Sequence, residues 1–317
     1  MELHLASMEN VTCWAFRKLF SGVTDSYTGV LSLNYILGKR NWKEADLFPI
    51  QGQRQWIQIA SSKEEECKKF IERLQRECKE QPEKYNVYGV QLNCSCPSYN
   101  LIKLGHGPAL ISKPQKVAAL LRALIKQDKL KIGIKIRLGL TQEEVKQGRI
   151  FQLLSELETL RNQQVSGAPK TREFSSEIEG LAHVVIHFKH AKEPSYTPYD
   201  YSLLKRISNY NLPIIINGGI NSHHDFLRIT KDANKKNIMG FMMGRQALKD
   251  PNCFIESSKI LNNKTFSSKS DEQVKKKFED NCKLHLPKEI YVKTIKKYCS
   301  WAKSLEIEFP KNNQPLN

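Results

Sequence analysis

The chain has 317 residues, 40% of them hydrophobic, with 50 Lys+Arg against 33 Asp+Glu and a formal charge of +17. Such a length and apolar content exclude a disordered chain and a small disulfide-stapled one, and allow one large domain plus a smaller one. The charge favours a polyanionic partner, nucleic acid before membrane, because each neutralised phosphate releases counterions.

Leu3–Ala6 reads as an opening strand and Val11–Phe20 as a helix after it. Apolar runs then recur at Tyr27–Leu33, Trp56–Ala60, Val87–Leu92, Ile132–Leu138, His183–His187, Pro213–Ile216 and Ile238–Met243. Amphipathic segments such as Lys63–Cys78, Pro114–Lys126 and Thr141–Asn162 lie between them. The runs are β-branched and near-continuous, as parallel strands covered on both faces should be. About eight strand–helix units close an α/β TIM (β/α)8 barrel, expected over residues 1–248. The polar stretch Gln163–Ile178 reads as an inserted loop beside the active face.

Residues 249–317 read as a linker and a small helical domain. Pro251–Lys269 is a partly helical connection, and Ser270 opens a capping box with Gln273. Val274, Phe278 and Cys282 mark one buried stripe. After Pro287 a second helix places Tyr291, Ile295, Tyr298, Ala302 and Leu305 on one face, with lysines elsewhere.

Eight cysteines lack regular spacing, which predicts reduced thiols in a cytoplasmic protein without a signal peptide. No stretch approaches the roughly 18 apolar residues of a membrane span. Cys94-x-Cys96, even with His106 nearby, lacks a second ligand pair, so no metal site is expected. No strand-linked G-x-G-x-x-G is present, and no dinucleotide domain is expected.

Polar groups fall at the ends of the expected strands: Asn93 and Cys96, Lys135 and Arg137, His187, Asn217-Gly218-Gly219, and Gly244-Arg245. All belong to the rim where barrels carry their chemistry. The glycines expose backbone N–H groups, and Arg245 adds a bidentate donor, which suits a phosphorylated cofactor. Lys135 on an inward face suits a ring that gathers negative charge, as reduced flavin does, since a buried unpaired ammonium is costly. His183 shares the face of His187 but lies deeper, and no role is assigned to it.

Seven segments in order then carry a resemblance: LASMENVTCWAFR (Leu5–Arg17), QLNCSCPS (Gln91–Ser98), GHGPAL (Gly105–Leu110), KIRLG (Lys135–Gly139), IHFKHA (Ile186–Ala191), IINGGI (Ile215–Ile220) and GFMMGRQAL (Gly240–Leu248). Over nearly its whole length the chain resembles the tRNA-dihydrouridine synthase family, in the NCSCPS form of archaeal members. The resemblance implies an FMN-bearing barrel and a helical domain that grips tRNA, with reduction of the C5–C6 bond of a chosen uridine. Cys96 would protonate C5 while reduced flavin delivers hydride to C6. Asn93 and Lys189 would contact the substrate. Ser7, Met8, Gln58, Lys135 and His187 would contact the flavin, and Asn217, Gly218, Gly219, Gly244 and Arg245 would cradle its phosphate. NADPH would be a transient reductant, tRNA the partner, and the protein a monomer.

Five positions depart from the family pattern. Ser7 replaces Pro, Glu9 the common Ala, Gly29 a frequent Glu, Lys189 the Arg of I-H-x-R, and Asn100 a Lys of bacterial members. A lysine cannot reproduce an arginine fork. Two other readings compete: an FMN barrel oxidoreductase acting on a small molecule, and a tRNA-binding homologue without catalysis.

Overall fold

The structure, a computed structural model, describes residues 1–9, 11–38, 48–82, 85, 87–125, 130–166, 180–194 and 196–285. Eight parallel strands close a ring: β1 (Glu2–Leu5), β2 (Asp25–Tyr27), β4 (Arg54–Ala60), β5 (Gly89–Cys94), β6 (Lys131–Arg137), β7 (Leu181–His187), β8 (Ile214–Asn217) and β9 (Ile238–Met243). β1 pairs with both β2 and β9, and β2 pairs with β4, which completes the circuit. The two-residue β3 (Leu31–Ser32) pairs with the end of β4, outside the ring. The expected strand Tyr27–Leu33 is therefore two pieces. Its barrel part starts earlier because Asp25 and Ser26 are buried polar residues, Asp25 held by Arg54 and Trp56, which an apolar pattern does not register.

The helices that cover the ring are α1 (Trp14–Arg17), α2 (Leu33–Ile36), α3 (Glu64–Glu80), α4 (Tyr99–Lys103), α5 (Pro114–Ile125), α6 (Gln142–Lys146), α7 (Arg149–Ser166), α8 (Leu204–Ile207), α9 (His223–Ile229) and α10 (Arg245–Lys249). The stretch Val11–Phe20 supplies only a four-residue helix. Buried Arg17 donates to the Thr12 carbonyl at 2.8 Å and to Gln55 Oε1 at 3.2 Å, which folds the start of that stretch into a turn. Thr141–Asn162 is two helices, broken at Gly148, whose φ of +68° L side chains rarely adopt. α7 continues to Ser166, into the stretch read as a loop; residues 167–179 lie outside the described residues.

Strand alternation sorts the side chains into two sets. Leu3, Leu5, Ile57, Ile59, Val90, Leu92, Cys94, Ile134, Ile136, Val184, Ile186, Ile214 and Ile216 form the core between sheet and helices. The set facing the barrel interior is largely polar: His4, Asp25, Gln58, Gln91, Asn93, Lys135 and His183 are all buried, beside Tyr27, Trp56, Val185, Ile215 and Met242.

At the amino-terminal end of the barrel, Arg54 donates to both Asp25 oxygens (2.9 and 2.6 Å) and to Glu2 (2.5 Å). Burial alone would raise the Glu2 carboxyl. The hydrogen bonds and charges of His4 and Arg54 outweigh it and lower it to about 2. Asp25 is lowered as well, against its own burial, by His4 and Arg54. Carboxyls held below their unfolded values add stability above roughly pH 4.5 that is lost as pH falls toward 2. Arg54→Met takes from buried Asp25 its two arginine hydrogen bonds and counter-charge, at a cost of about 3 kcal/mol. Urea midpoints at pH 7 and pH 4 should show the loss at neutral pH and earlier acid unfolding; an unchanged midpoint at pH 7 would count against this account.

Beyond the ring, α11 (Cys253–Asn262) and α12 (Asp271–His285) follow. The capping box forms: Gln273 N–H donates to Ser270 Oγ at 3.3 Å, and Ser270 N–H to Gln273 Oε1 at 2.9 Å. Val274, Phe278 and Cys282 are buried, but in the barrel's own core cluster. Phe278 meets Phe16 edge-on at 6.4 Å, and Asn281 donates to the Ala15 carbonyl at 3.3 Å. The stripe thus joins α12 to the barrel. The helix expected after Pro287 lies outside the described residues. No described helix is long and apolar enough to cross a membrane.

Candidate active site

A cavity of about 620 Å³ opens at the carboxyl rim. Ser7, Met8, Gln58, Asn93, Cys96, Lys135, His187, Asn217, Gly218, Gly219, Gly244 and Arg245, all singled out in the sequence, line it. Distant in sequence, they meet because each lies on the inward face of a barrel strand or just after its carboxyl end, on or after β1, β4, β5, β6, β7, β8 and β9. A cavity of similar size, about 630 Å³, lies beside α6 and α7 and shares none of these residues.

Cys96 and Cys94 part company here. Cys94 ends β5 pointing into the outer core, fully buried, where burial and Cys67 push its thiol far up. Cys96 stands in the loop and lines the cavity. Asn93 holds that loop: its Oδ1 accepts the backbone N–H groups of Ser95 (3.0 Å) and Cys96 (2.9 Å). Arg137 donates to the Ser95 carbonyl at 2.7 Å from the other side. Burial, with the Glu9 carboxylate, raises the Cys96 thiol against the lowering effect of Ser98, Arg137 and Lys135. The group is a neutral thiol at pH 7.

Lys135 is buried, and its ammonium lies 3.3 Å from the Met242 thioether, a weak acceptor. Burial first, then the Arg137 charge, lowers it to about 7. The Ser7 hydroxyl, also on the cavity wall, is buried without a hydrogen-bond partner. Both groups ask for an acceptor from outside the chain. His187 pairs through Nδ1 with Asn217 Oδ1 at 2.9 Å, while Asn217 Nδ2 donates to the Met242 carbonyl. The Asn217 oxygen must therefore accept, so Nδ1 carries the proton and Nε2 keeps a lone pair. Burial and the charges of Arg137 and Lys135 hold this ring well below its ordinary value, so it is neutral.

Two placements differ from the sequence expectation. Lys189 is buried and is not on the cavity wall; its ammonium donates to the carbonyls of Pro194 (2.9 Å) and Thr197, bracing the loop after β7. The glycine turn is the other. Gly218 and Gly219 have φ of +104° and +62°, and a Cβ on either would meet the Tyr199 ring at 2.4 and 2.6 Å. Tyr199 covers the turn, accepts from Arg245 at 2.9 Å and stands edge-on to His187. Sequence reasoning missed Tyr199; the cluster Tyr196, Tyr199 and Tyr201 between strand-end motifs was the available signal.

A closed parallel barrel with a thiol, a buried amine and glycine turns gathered at its carboxyl rim defines a (β/α)8 protein with an enzyme-like site. The model of the dihydrouridine synthase family matches residues 4–157 and 175–312, and the chain belongs to that family. It is 27% identical over 172 residues to an uncharacterized tRNA-dihydrouridine synthase-like protein of Caenorhabditis elegans, covering 52% of this chain and 50% of that one. Against a tRNA-dihydrouridine(20) synthase (NAD(P)+) of Schizosaccharomyces pombe the identity is 25%, over 53% of this chain and 31% of the relative. Against a tRNA-dihydrouridine(20/20a) synthase of Xanthomonas campestris pv. campestris it is 28%, over 51% and 44%. The matched part thus spans half or less of these relatives. Among solved structures, Old Yellow Enzyme from Pichia sp. AKU4542 aligns over 86% of each chain at 8% identity, with a TM-score of 0.49.

Proposed function

We propose that this protein is a flavin-dependent reductase that converts uridine to dihydrouridine in tRNA. The observation that carries the reading is a neutral thiol and a carboxylate-free buried amine on the walls of one rim cavity. The amine and the orphaned Ser7 hydroxyl fit the acceptors of an isoalloxazine ring, and Gln58 lies on the same wall. Bound there, reduced flavin would supply hydride to C6 of the uracil. Cys96 then supplies the proton that C5 needs, and a protonated thiol serves as that acid. Asn93 keeps the thiol's loop in place, and Arg137 keeps it from opening outward. The uridine must leave its stack, at a cost of a few kcal/mol. The formal charge of +17 favours binding of the tRNA backbone, which would offset that cost. NADPH acts as a visiting reductant, in keeping with the missing dinucleotide motif.

The test is direct. The purified protein should be yellow or take up FMN, and with NADPH should form dihydrouridine in tRNA from cells lacking the enzyme. A colourless protein that refuses FMN would sink the reading. Removing Ser270–Asn317 does not separate a tRNA enzyme from a small-molecule one, because Phe278 and Cys282 belong to the barrel core and their loss would expose it.

Tyr199 bears on which flavin binds. Its ring and a cofactor phosphate compete for the ground above Gly218 and Gly219. Tyr199→Ala should therefore tighten FMN by ~10-fold, about the weight of one charge-assisted hydrogen bond, and leave riboflavin unchanged. Fluorescence titration of both ligands checks it; equal gains for both would place the effect elsewhere.

A further inference from the structure

From the cavity wall a line of polar side chains runs down into the barrel interior, and its two deeper members, Gln91 and His183, line no part of the cavity. Asn93 Nδ2 donates to Gln58 Oε1 at 2.6 Å, Gln58 Nε2 to Gln91 Oε1 at 2.6 Å, and Gln91 Nε2 to His183 Nε2 at 2.9 Å. All four residues are buried. Apolar side chains would fill this space at lower cost, since each buried polar group must be satisfied. Gly133 opposite is needed to admit His183: a Cβ there would lie 2.4 Å from the His183 Nε2.

The direction of every bond in the line follows from one fixed end. Asn93 Oδ1 faces two backbone N–H groups, and only an oxygen can sit there. The Asn93 nitrogen must then face an oxygen of Gln58, the Gln58 nitrogen an oxygen of Gln91, and the Gln91 nitrogen a lone pair of His183. His183 is accordingly neutral, with its proton on Nδ1; burial and His4 lower it to about 3. The Asn93 oxygen accepts from two backbone N–H groups, and the Gln58 oxygen is turned toward the Asn93 nitrogen. Each amide nitrogen keeps one hydrogen to spare.

We propose that Gln91 and His183 are positioning residues: acting through Gln58 and Asn93, they fix which way those two amides face, so that each presents a spare N–H on the cavity wall, which favours a ligand offering carbonyl oxygens or an anionic ring edge there. The identity of that ligand as flavin rests on the function proposed above; the relay itself does not.

Two variants at Gln91 separate this role from packing. Gln91→Met keeps the volume but offers Gln58 no acceptor, so the Gln58 amide is free to turn over. Gln91→Glu keeps an acceptor for Gln58 and is satisfied on its other side once His183 takes a proton. The relay predicts that Met weakens FMN binding ~10-fold, as for one buried hydrogen bond, while Glu stays within ~3-fold of the parent. A packing role predicts the opposite order, because Glu introduces a buried charge and Met does not. Nitrogen NMR of the ligand-free protein reads His183 independently: Nε2 unprotonated in the parent, both nitrogens protonated in Gln91→Glu. A parent with the proton on Nε2, or Met binding FMN as well as the parent does, overturns the relay. A parent that takes up no FMN ends the flavin reading instead, and the His183 signals then decide the relay alone.

Discussion

Cys96→Ala should lower dihydrouridine formation by roughly 10²–10⁴-fold, the range set by loss of a positioned general acid, with flavin and tRNA binding intact. The size of the effect follows from geometry. The thiol is held on the cavity wall by Asn93 and by the Arg137 contact to Ser95, and no other thiol lines that wall among the described residues. Its pH dependence has a definite sign. Burial raises this thiol, so the acid form persists past its ordinary range and activity should hold through the pH at which a free thiol ionises. Cys94→Ala removes a sulfur from the outer core and should cost about 1 kcal/mol of stability while leaving turnover near that of the parent. Mapping dihydrouridine after reaction with each variant decides the assignment. An inactive Cys94→Ala beside an active Cys96→Ala would reverse it.

The ring of strands was legible because eight apolar runs have the length and β-branched content of doubly covered strands. The strand ends were legible because glycine and charge fall where a buried strand must stop. The barrel interior was less so. Asp25, Gln91 and His183 are buried polar residues satisfied by partners on other strands, Arg54 and Trp56 for Asp25 and one another for Gln91 and His183, and period-two alternation reveals the shared face without revealing the partners. Gln91 and Asn93 stand two residues apart on β5 and so share its inward face. Tyr199 lies in a loop whose path depends on Lys189 bracing it through two carbonyls, a contact with no local signature. The same contact explains why Lys189, a substrate ligand by resemblance, stands behind the wall. The capping box at Ser270 was readable from four residues because both of its bonds are local.

Lys135→Met should make the ligand-free protein more stable at pH 7 and weaken its cofactor binding, two changes of opposite sense from one amine. A buried lysine lowered from 10.5 to about 7 binds its proton less readily in the folded chain than in the unfolded one. Its stability contribution is thus intact above about pH 10.5 and falls away as pH drops toward 7. Replacing the amine by a side chain of similar length removes that penalty. At pH 7 the gain should reach a few kcal/mol, or roughly 5–10 °C in Tm for a domain of this size, and should vanish toward pH 10. Reduced flavin would reverse the balance: its anionic ring edge beside Nζ would restore the charged form, and losing that bond should cost ~10–100-fold in affinity for reduced flavin. Binding of reduced flavin to the parent at pH 8, without oxygen, should accordingly take up most of one proton, visible as a buffer-dependent heat, and binding to Lys135→Met should take up none. A variant that melts below the parent at pH 7 and binds flavin as tightly would mean that Lys135 supports the barrel and not the ligand.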